Sequence, residues 1–298
     1  QVGEGSDELF CGYRDYTYYL KFYDYAWRYL SRLPVWARRV VAGTGQALFS
    51  ASEGALPPML RRALPDLFRR LKTGEELFWS GAFVFDESQK QPLLTESYRA
   101  RVKTSSHLVI KRDLDRLLAA RPGANQLDRM IYQELKLRLP ELLLMRVDKV
   151  TMATSVEARV PFLDHHLVEF AMKIPRSLKY RNGETKYVLK RALAGVVPAS
   201  VLERKKQGFG APIKEWLFGR MSGFVEDGIF GSALSRREIF DYENVRHLLE
   251  EQRAGRVNYS FHLWALLNLS LWYDRWIEQR DECGAGDSRF AASRRVIA

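Results

Sequence analysis

The 298 residues predict a mainly α-helical chain, and three observations carry that prediction. Apolar residues recur at helical rather than alternating spacing. No series of strands alternates with the helices; Val2 could close a strand that begins upstream, and residues 82–85 read as turn or helix. Prolines punctuate the helical stretches at positions 34, 57, 58, 122, 140, 161 and 175, where a missing N–H and a fixed φ end or kink a helix.

In chain order, residues 1–15 are a Gly-rich acidic segment, QVGEGSDELFCGYRD. Residues 16–33 are very aromatic and read as a helix packed on both sides, with a base-stacking surface as the alternative. Pro34 starts another helix and Pro57-Pro58 mark a loop. Residues 106–200 hold amphipathic helices broken at Pro122, Pro140, Pro161 and Pro175. Residues 201–278 are helical again and include the apolar run 261–273, expected as a buried helix. At 13 residues it is short of the ~18 that a membrane span requires. The expected organisation is one domain over 1–278 and a frayed tail over 279–298.

Composition narrows the class. Hydrophobic residues at 46% and charged residues at 28% exclude bulk disorder. Two cysteines, Cys11 and Cys283, exclude a disulfide framework and a cysteine zinc site, and a reducing, cytoplasmic setting is the default expectation. The chain opens on Gln1, without a secretory signal, and is read as a piece of something longer. Net charge is +11, and most of it sits in residues 101–200, where 19 basic side chains face 10 acidic ones. Such a field attracts polyanions, a nucleotide's phosphates or a nucleic acid; a solvated Arg-rich surface explains it equally.

Three segments carry candidate chemistry. In Gly3-Glu4-Gly5-Ser6-Asp7-Glu8, two glycines let the backbone turn tightly before a helix, which offers free N–H groups to an anion. The carboxylates of Glu4, Asp7 and Glu8 could hold Mg²⁺ through water or move a proton; a plain turn with an acidic helix start is the alternative. No Gly-Lys-Ser/Thr follows, so this is not a Walker A loop. The second segment, residues 146–164, sets Arg146, Lys149, Glu157 and Arg159 among apolar residues. It is expected as a wall of internal ion pairs with Arg159 facing a ligand, an extended buried stretch at 160–163, and Asp164 capping the next helix. In the third, Asn182-Gly183 form a turn and Lys186 falls in the first turn of a helix, where a cation opposes the helix dipole unless an anion binds nearby. A snorkelling surface lysine is the alternative. His165-His166, adjacent on a helix and expected to diverge, make a poor metal pair, and Arg204-Lys205-Lys206 is a basic run before Gly208-Phe209-Gly210.

Taken together, GEGSDELFCGY at 3–13, RVDKVTMATSVEARVPFLDHHLVEFA at 146–171, GETKYVLKRAL at 183–193, RKKQGFGAPIKEWL at 204–217 and LLNLSLWYDRWI at 266–277 resemble the C-terminal part of the synthetase domain of glutamine-dependent asparagine synthetases. The resemblance implies the helical part of an α/β adenine-nucleotide alpha-hydrolase-like (ATP-pyrophosphatase) domain. It also implies ATP with Mg²⁺, and aspartate adenylated on its β-carboxylate and then attacked by ammonia from a glutaminase domain. By the same resemblance Glu4 serves intermediate formation and the ammonia proton, and Lys186 stabilises pyrophosphate. Val2 and Gly3 give backbone contacts to the nucleotide, and Asp7 binds metal or pyrophosphate. The family's Ser-Gly-Gly-x-Asp-Ser loop and glutaminase nucleophile are not in this sequence, Cys11 stands where Gly is usual, and Val2 stands where Ser is common. Relatives that close β-lactam rings, cyclise peptides or amidate sugars share the adenylation chemistry and keep the acceptor open; a nucleic-acid-binding helical module is the reading from another class. Neither nucleic acid nor membrane is an expected partner, and a homodimer is the assembly considered.

Overall fold

The computed structural model describes residues 1–52, 58–204, 212–219 and 221–278. The tail 279–298, Cys283, Pro57, Lys205-Lys206 and Gly208-Phe209-Gly210 lie outside the described residues. The chain is mainly helical, with one two-stranded antiparallel hairpin among the described residues. It divides into two compact units, Gln1–Phe83 with Ser106–Lys206, and Val84–Ser105 with Gln207–Ala298.

The first unit opens with α1 (Ser6–Leu9), α2 (Arg14–Phe22), a π-helical turn (Tyr23–Trp27) and α3 (Arg28–Leu30). α4 (Val35–Ser52) and α5 (Pro58–Thr73) then pack as a helical hairpin. Its core gathers Leu9, Phe10, Cys11, Tyr16 and Leu20 with Phe78, Leu127, Met130, Ile131 and Ala171. The aromatic stretch is buried on one side only: Tyr16, Leu20 and Trp27 point inward while Tyr18, Tyr25 and Tyr29 are exposed. This corrects the expectation of a helix packed on both sides, because the 3.6-residue period puts the tyrosines of one sequence run on opposite faces.

In the second unit, α6 (Glu87–Leu93) starts with a capping box in which Asp86 accepts from Gln89 N–H and the Gln89 side chain accepts in return. α7 (Glu96–Arg101) follows. Returning to the first unit, α8 (His107–Ala120) leads to α9 (Gln126–Gln133), which carries its own capping box from Asn125 and Asp128. The helical path continues through a π-helical stretch (Glu134–Leu144) into α10 (Met145–Met152). Pro140 therefore does not break the helix as expected. It sits inside the π stretch, whose wider turn shifts the hydrogen-bond register and accommodates the residue without an N–H.

Residues 160–163 form a short 3₁₀ turn (Pro161–Leu163) rather than an extended strand. Asp164 caps α11 (His165–Lys173) as expected, accepting from the N–H groups of His166 and Leu167. α12 (Arg176–Lys179) runs into β1 (Tyr180–Arg181), which pairs with β2 (Glu184–Thr185) across Asn182-Gly183. Both turn residues have positive φ, +50° and +86°, the requirement of a tight hairpin turn that Asn-Gly meets at least cost. α13 (Tyr187–Ala192) and α14 (Ala199–Leu202) close the described part of this unit.

The second unit is completed by α15 (Ile213–Phe218), α16 (Ser222–Phe230), α17 (Tyr242–Arg253) and α18 (Ser260–Trp276). Leu217, Val225, Ile229, Val245, Leu249, Leu263, Leu266 and Leu267 form its core. The apolar run is helical as expected, but only one face is covered; Phe261, Trp272 and Trp276 are exposed.

Candidate active site

The site is built on the turn that precedes α1. Gly5 has φ +91°, and a Cβ there would overlap the Leu163 side chain. Glycine thus serves twice, allowing a left-handed turn and letting Leu163 close over the loop. The turn sets Glu4 half-buried, directs Ser6 and Glu8 inward and leaves Asp7 near the surface. Val2 N–H donates to the Arg159 carbonyl at 2.9 Å, so two of the sequence-predicted residues meet, but backbone to backbone. The Arg159 side chain lies in solvent and pairs with Glu157 at 3.0 Å.

Lys186 reaches this turn from 180 residues away. Its Nζ donates to Ser6 Oγ at 3.0 Å and pairs with Asp7 Oδ1 at 2.9 Å, and its backbone N–H donates to the Phe10 carbonyl at 3.1 Å. The lysine does not sit in the first helical turn as expected. α13 begins at Tyr187, and Lys186 precedes it with φ +55° and ψ +30°. A non-glycine residue in that region is strained, and such strain is held by the contacts around it. Here the contacts are the ion pair and two hydrogen bonds on the 6–10 segment. Gly12 is the enabling residue: a Cβ built on it would overlap both the Asp7 carboxylate and Lys186 Cε.

Beneath this pair lies a buried polar network that the sequence did not reveal. Tyr13 Oη donates to Glu8 at 2.6 Å, the Arg138 guanidinium lies over the Tyr13 ring at 4.3 Å, and Arg138 donates to fully buried Glu134 at 3.3 Å. Glu134 also accepts from Gly81 N–H at 2.5 Å. Burial pushes the Glu8 carboxyl above its ordinary range, against the opposing pull of the Tyr13 hydrogen bond and Arg138. Burial raises the Tyr13 hydroxyl as well, and the hydrogen bond to Glu8 adds to that. The spacing Glu8 to Tyr13 was legible, but Arg138 lies 125 residues further along and no local pattern announces it.

Cys11 explains its own oddity. It is fully buried with φ +58°, a backbone position that favours glycine. Burial pushes its thiol up to about 12, so it holds no nucleophilic thiolate near neutral pH.

The wall of internal ion pairs expected over 146–159 is not formed among the described residues. Arg146, Asp148, Lys149, Glu157 and Arg159 are all exposed. Their spacing alone could not tell a buried network from a solvated face. The His165 and His166 rings do not diverge but lie 3.8 Å apart. Among the described residues no group of three His, Cys, Asp or Glu side chains is placed to hold a metal ion. Glu8 is turned inward to Tyr13 and Asp7 is engaged by Lys186, so the three carboxylates of the first segment do not converge. One carboxylate is enough for a Mg²⁺ that arrives on nucleotide phosphates, since that ion keeps waters and takes one or two carboxylates.

Comparison with known proteins adds an independent line. A family model described as asparagine synthase matches residues 1–274. The chain is 33% identical over 283 residues to asparagine synthetase [glutamine-hydrolyzing] 1 of Bacillus subtilis (strain 168), covering 93% of this chain and 40% of that protein. It is 29% identical over 161 residues to asparagine synthetase [glutamine-hydrolyzing] 3 of the same organism, covering 49% of this chain and 26% of that protein. It is also 34% identical over 126 residues to amidase chry2 of Gibberella zeae, covering 40% of this chain and 19% of that protein. The chain therefore spans well under half the length of these curated relatives. No solved structure is a significant match.

Proposed function

The chain belongs to the asparagine synthase family, and on that premise we propose that it is the C-terminal helical part of an ATP-dependent amide-forming ligase making asparagine from aspartate, ATP and glutamine-derived ammonia. In this reading the chain completes an α/β adenine-nucleotide alpha-hydrolase-like domain, whose nucleotide loop and glutaminase partner belong to the longer protein. The observation that carries the reading is the Lys186 ammonium, held by Ser6 and Asp7 two and three residues past Glu4.

The chemistry follows from charge. When a carboxylate attacks the α-phosphorus of ATP, the leaving pyrophosphate gains negative charge, and a fixed cation stabilises that change more than it stabilises the ground state. Lys186 supplies the cation. Its ion pair with Asp7 holds the ammonium in place beforehand, so little reorganisation is needed as the leaving group departs. Asp7 is the carboxylate that would hold a Mg²⁺ arriving on the nucleotide, where the ion would neutralise phosphate charge. Glu4, at the turn, accepts a proton from ammonia as it attacks the acyl-adenylate, forming the amide C–N bond and breaking the acyl C–O bond so that AMP leaves. Val2 and Gly3 offer backbone groups to the nucleotide, and Arg159 contributes a surface cation at the same edge through its backbone bond to Val2.

The test uses the full-length protein that contains this chain, supplied with aspartate, ATP, Mg²⁺ and glutamine or ammonia. Asparagine and pyrophosphate should form in equal amounts, and Glu4→Ala and Lys186→Ala should each lower kcat by on the order of 10²-fold or more. Rates unchanged in both variants would remove the assigned roles. The match to a relative called an amidase favours a second reading, the same adenylation on a different acceptor. Pyrophosphate release that ignores aspartate but responds to another carboxylate would select it.

A further inference from the structure

α4 is apolar on both sides. Its inner face packs on α5, where Ala42 and Phe49 are buried and a Cβ at Gly45 would overlap the Phe68 ring. Its outer face carries Trp36, Val40, Thr44, Ala47, Leu48 and Ala51, which at 100° per residue fall within an arc of about 120°. All six are exposed, with Trp36 at 70%, Val40 at 59% and Leu48 at 66%. The one hydroxyl among them is turned back into the helix, Thr44 Oγ1 donating to the Val40 carbonyl at 2.9 Å. Apart from the Trp36 indole N–H, that face therefore offers water no free side-chain donor. An apolar arc of this width is ordinarily the face a helix buries, and nothing in the chain's described residues covers this one; Arg39, Gln46 and Ser50 flank it.

The charge within this stretch has one sign. Residues 25–52 contain Arg28, Arg32, Arg38 and Arg39 and no Asp, Glu or Lys. Arg28, Arg32 and Arg39 are exposed. Of the two acids that bound this stretch, Asp24 and Glu53, Asp24 is paired with Arg176 at 2.6 Å. Tyr25 and Tyr29, 83% and 60% exposed, lie in the turns that lead into α4. The other exposed apolar stretches differ: α10 interleaves Arg146 and Lys149 with Asp148, and α18 ends in Asp274-Arg275. Those mixed signs select no anionic partner.

We propose that the outer face of α4 docks on an anionic lipid surface. The apolar arc would enter the boundary between headgroups and acyl chains, Trp and Tyr would sit at headgroup level, and the arginines would meet lipid phosphates. Among the described residues no helix is long and apolar enough to cross a membrane, so the contact is peripheral. It does not depend on the catalytic reading above.

The experiment is co-sedimentation of the full-length protein with phosphatidylcholine vesicles, with and without phosphatidylglycerol. Wild type should pellet with the anionic vesicles and, by on the order of tenfold, less with the neutral ones, and salt should weaken the binding. The double variant Val40→Asp/Leu48→Asp, changed only at exposed positions, should lose on the order of tenfold in partitioning while its melting temperature stays that of wild type. Val150→Asp on the exposed face of α10 should bind as wild type does. Wild type left in the supernatant with anionic vesicles, or the double variant pelleting unchanged, would overturn the proposal. So would sedimentation velocity showing a dimer that the double variant dissociates in a protein that ignores vesicles, since the face would then join two copies of the chain.

Discussion

At the scale of single residues the site depends on where a side chain is forbidden and where one is held against its preference. Gly12 is the first case. Alanine there would push into the Asp7 carboxylate and Lys186 at once, with Asp7 Cα only 2.8 Å from the new Cβ. Gly12→Ala is expected to destabilise the chain by about 2 kcal/mol and to lower turnover of the full-length enzyme as far as loss of Lys186 does. Urea denaturation and pyrophosphate release measure the two effects. Lys186 is the second case. Its left-handed backbone costs an L-residue about 1 kcal/mol, so Lys186→Gly should be about 1 kcal/mol more stable than Lys186→Ala, although both lack the ammonium. Equal stabilities would mean that Lys186 is not strained in the free protein.

At the scale of elements, capping residues decide where helices begin. Asp164 satisfies two N–H groups at the start of α11, and Asp164→Ala should cost about 1 kcal/mol, read from a thermal melt. Asn at this position should restore most of it, because its carbonyl accepts the same bonds. Pro140 shows the opposite lesson, that a breaker need not break. Inside the π stretch the altered hydrogen-bond register leaves no partner waiting for its absent N–H. Periodicity identified both helices flanking that stretch, but their continuity rests on packing that local propensity does not encode.

At the scale of the whole molecule, one buried charge links stability to pH. Lys179 is fully buried, and its Nζ has no hydrogen-bond partner among the described residues. Burial lowers its ammonium from the ordinary 10.5 to about 8, with Asp128 pulling the other way. The folded value lies below the unfolded one, so between pH 8 and 10.5 the unfolded chain binds more protons and this residue's contribution rises with pH. Below pH 8 its full penalty is present. Lys179→Met, of similar volume, should therefore be more stable than wild type at pH 7 by about 3 kcal/mol, with the difference shrinking as the pH climbs past 10.5. A constant difference across that range would locate the effect in packing rather than in charge.

By itself the sequence determined the helical class, the Asn182-Gly183 turn, the Asp164 cap and the family, because each is written in local spacing or in contiguous motifs. It also placed Glu4, Asp7 and Lys186 in short segments whose residue types suit phosphate chemistry. Only the tertiary structure decided that Lys186 lands on Ser6 and Asp7, that Arg138 and Glu134 brace the turn from beneath, and that Arg146 and Lys149 face solvent. It also decided that the outer arc of α4 stays uncovered. These outcomes turn on which surfaces meet after residues far apart in the chain are brought together. An apolar or charged side chain reads the same in sequence whether its face finds a neighbour or meets water; burial, which sets the energy of both kinds of group, exists only once the fold has chosen its contacts.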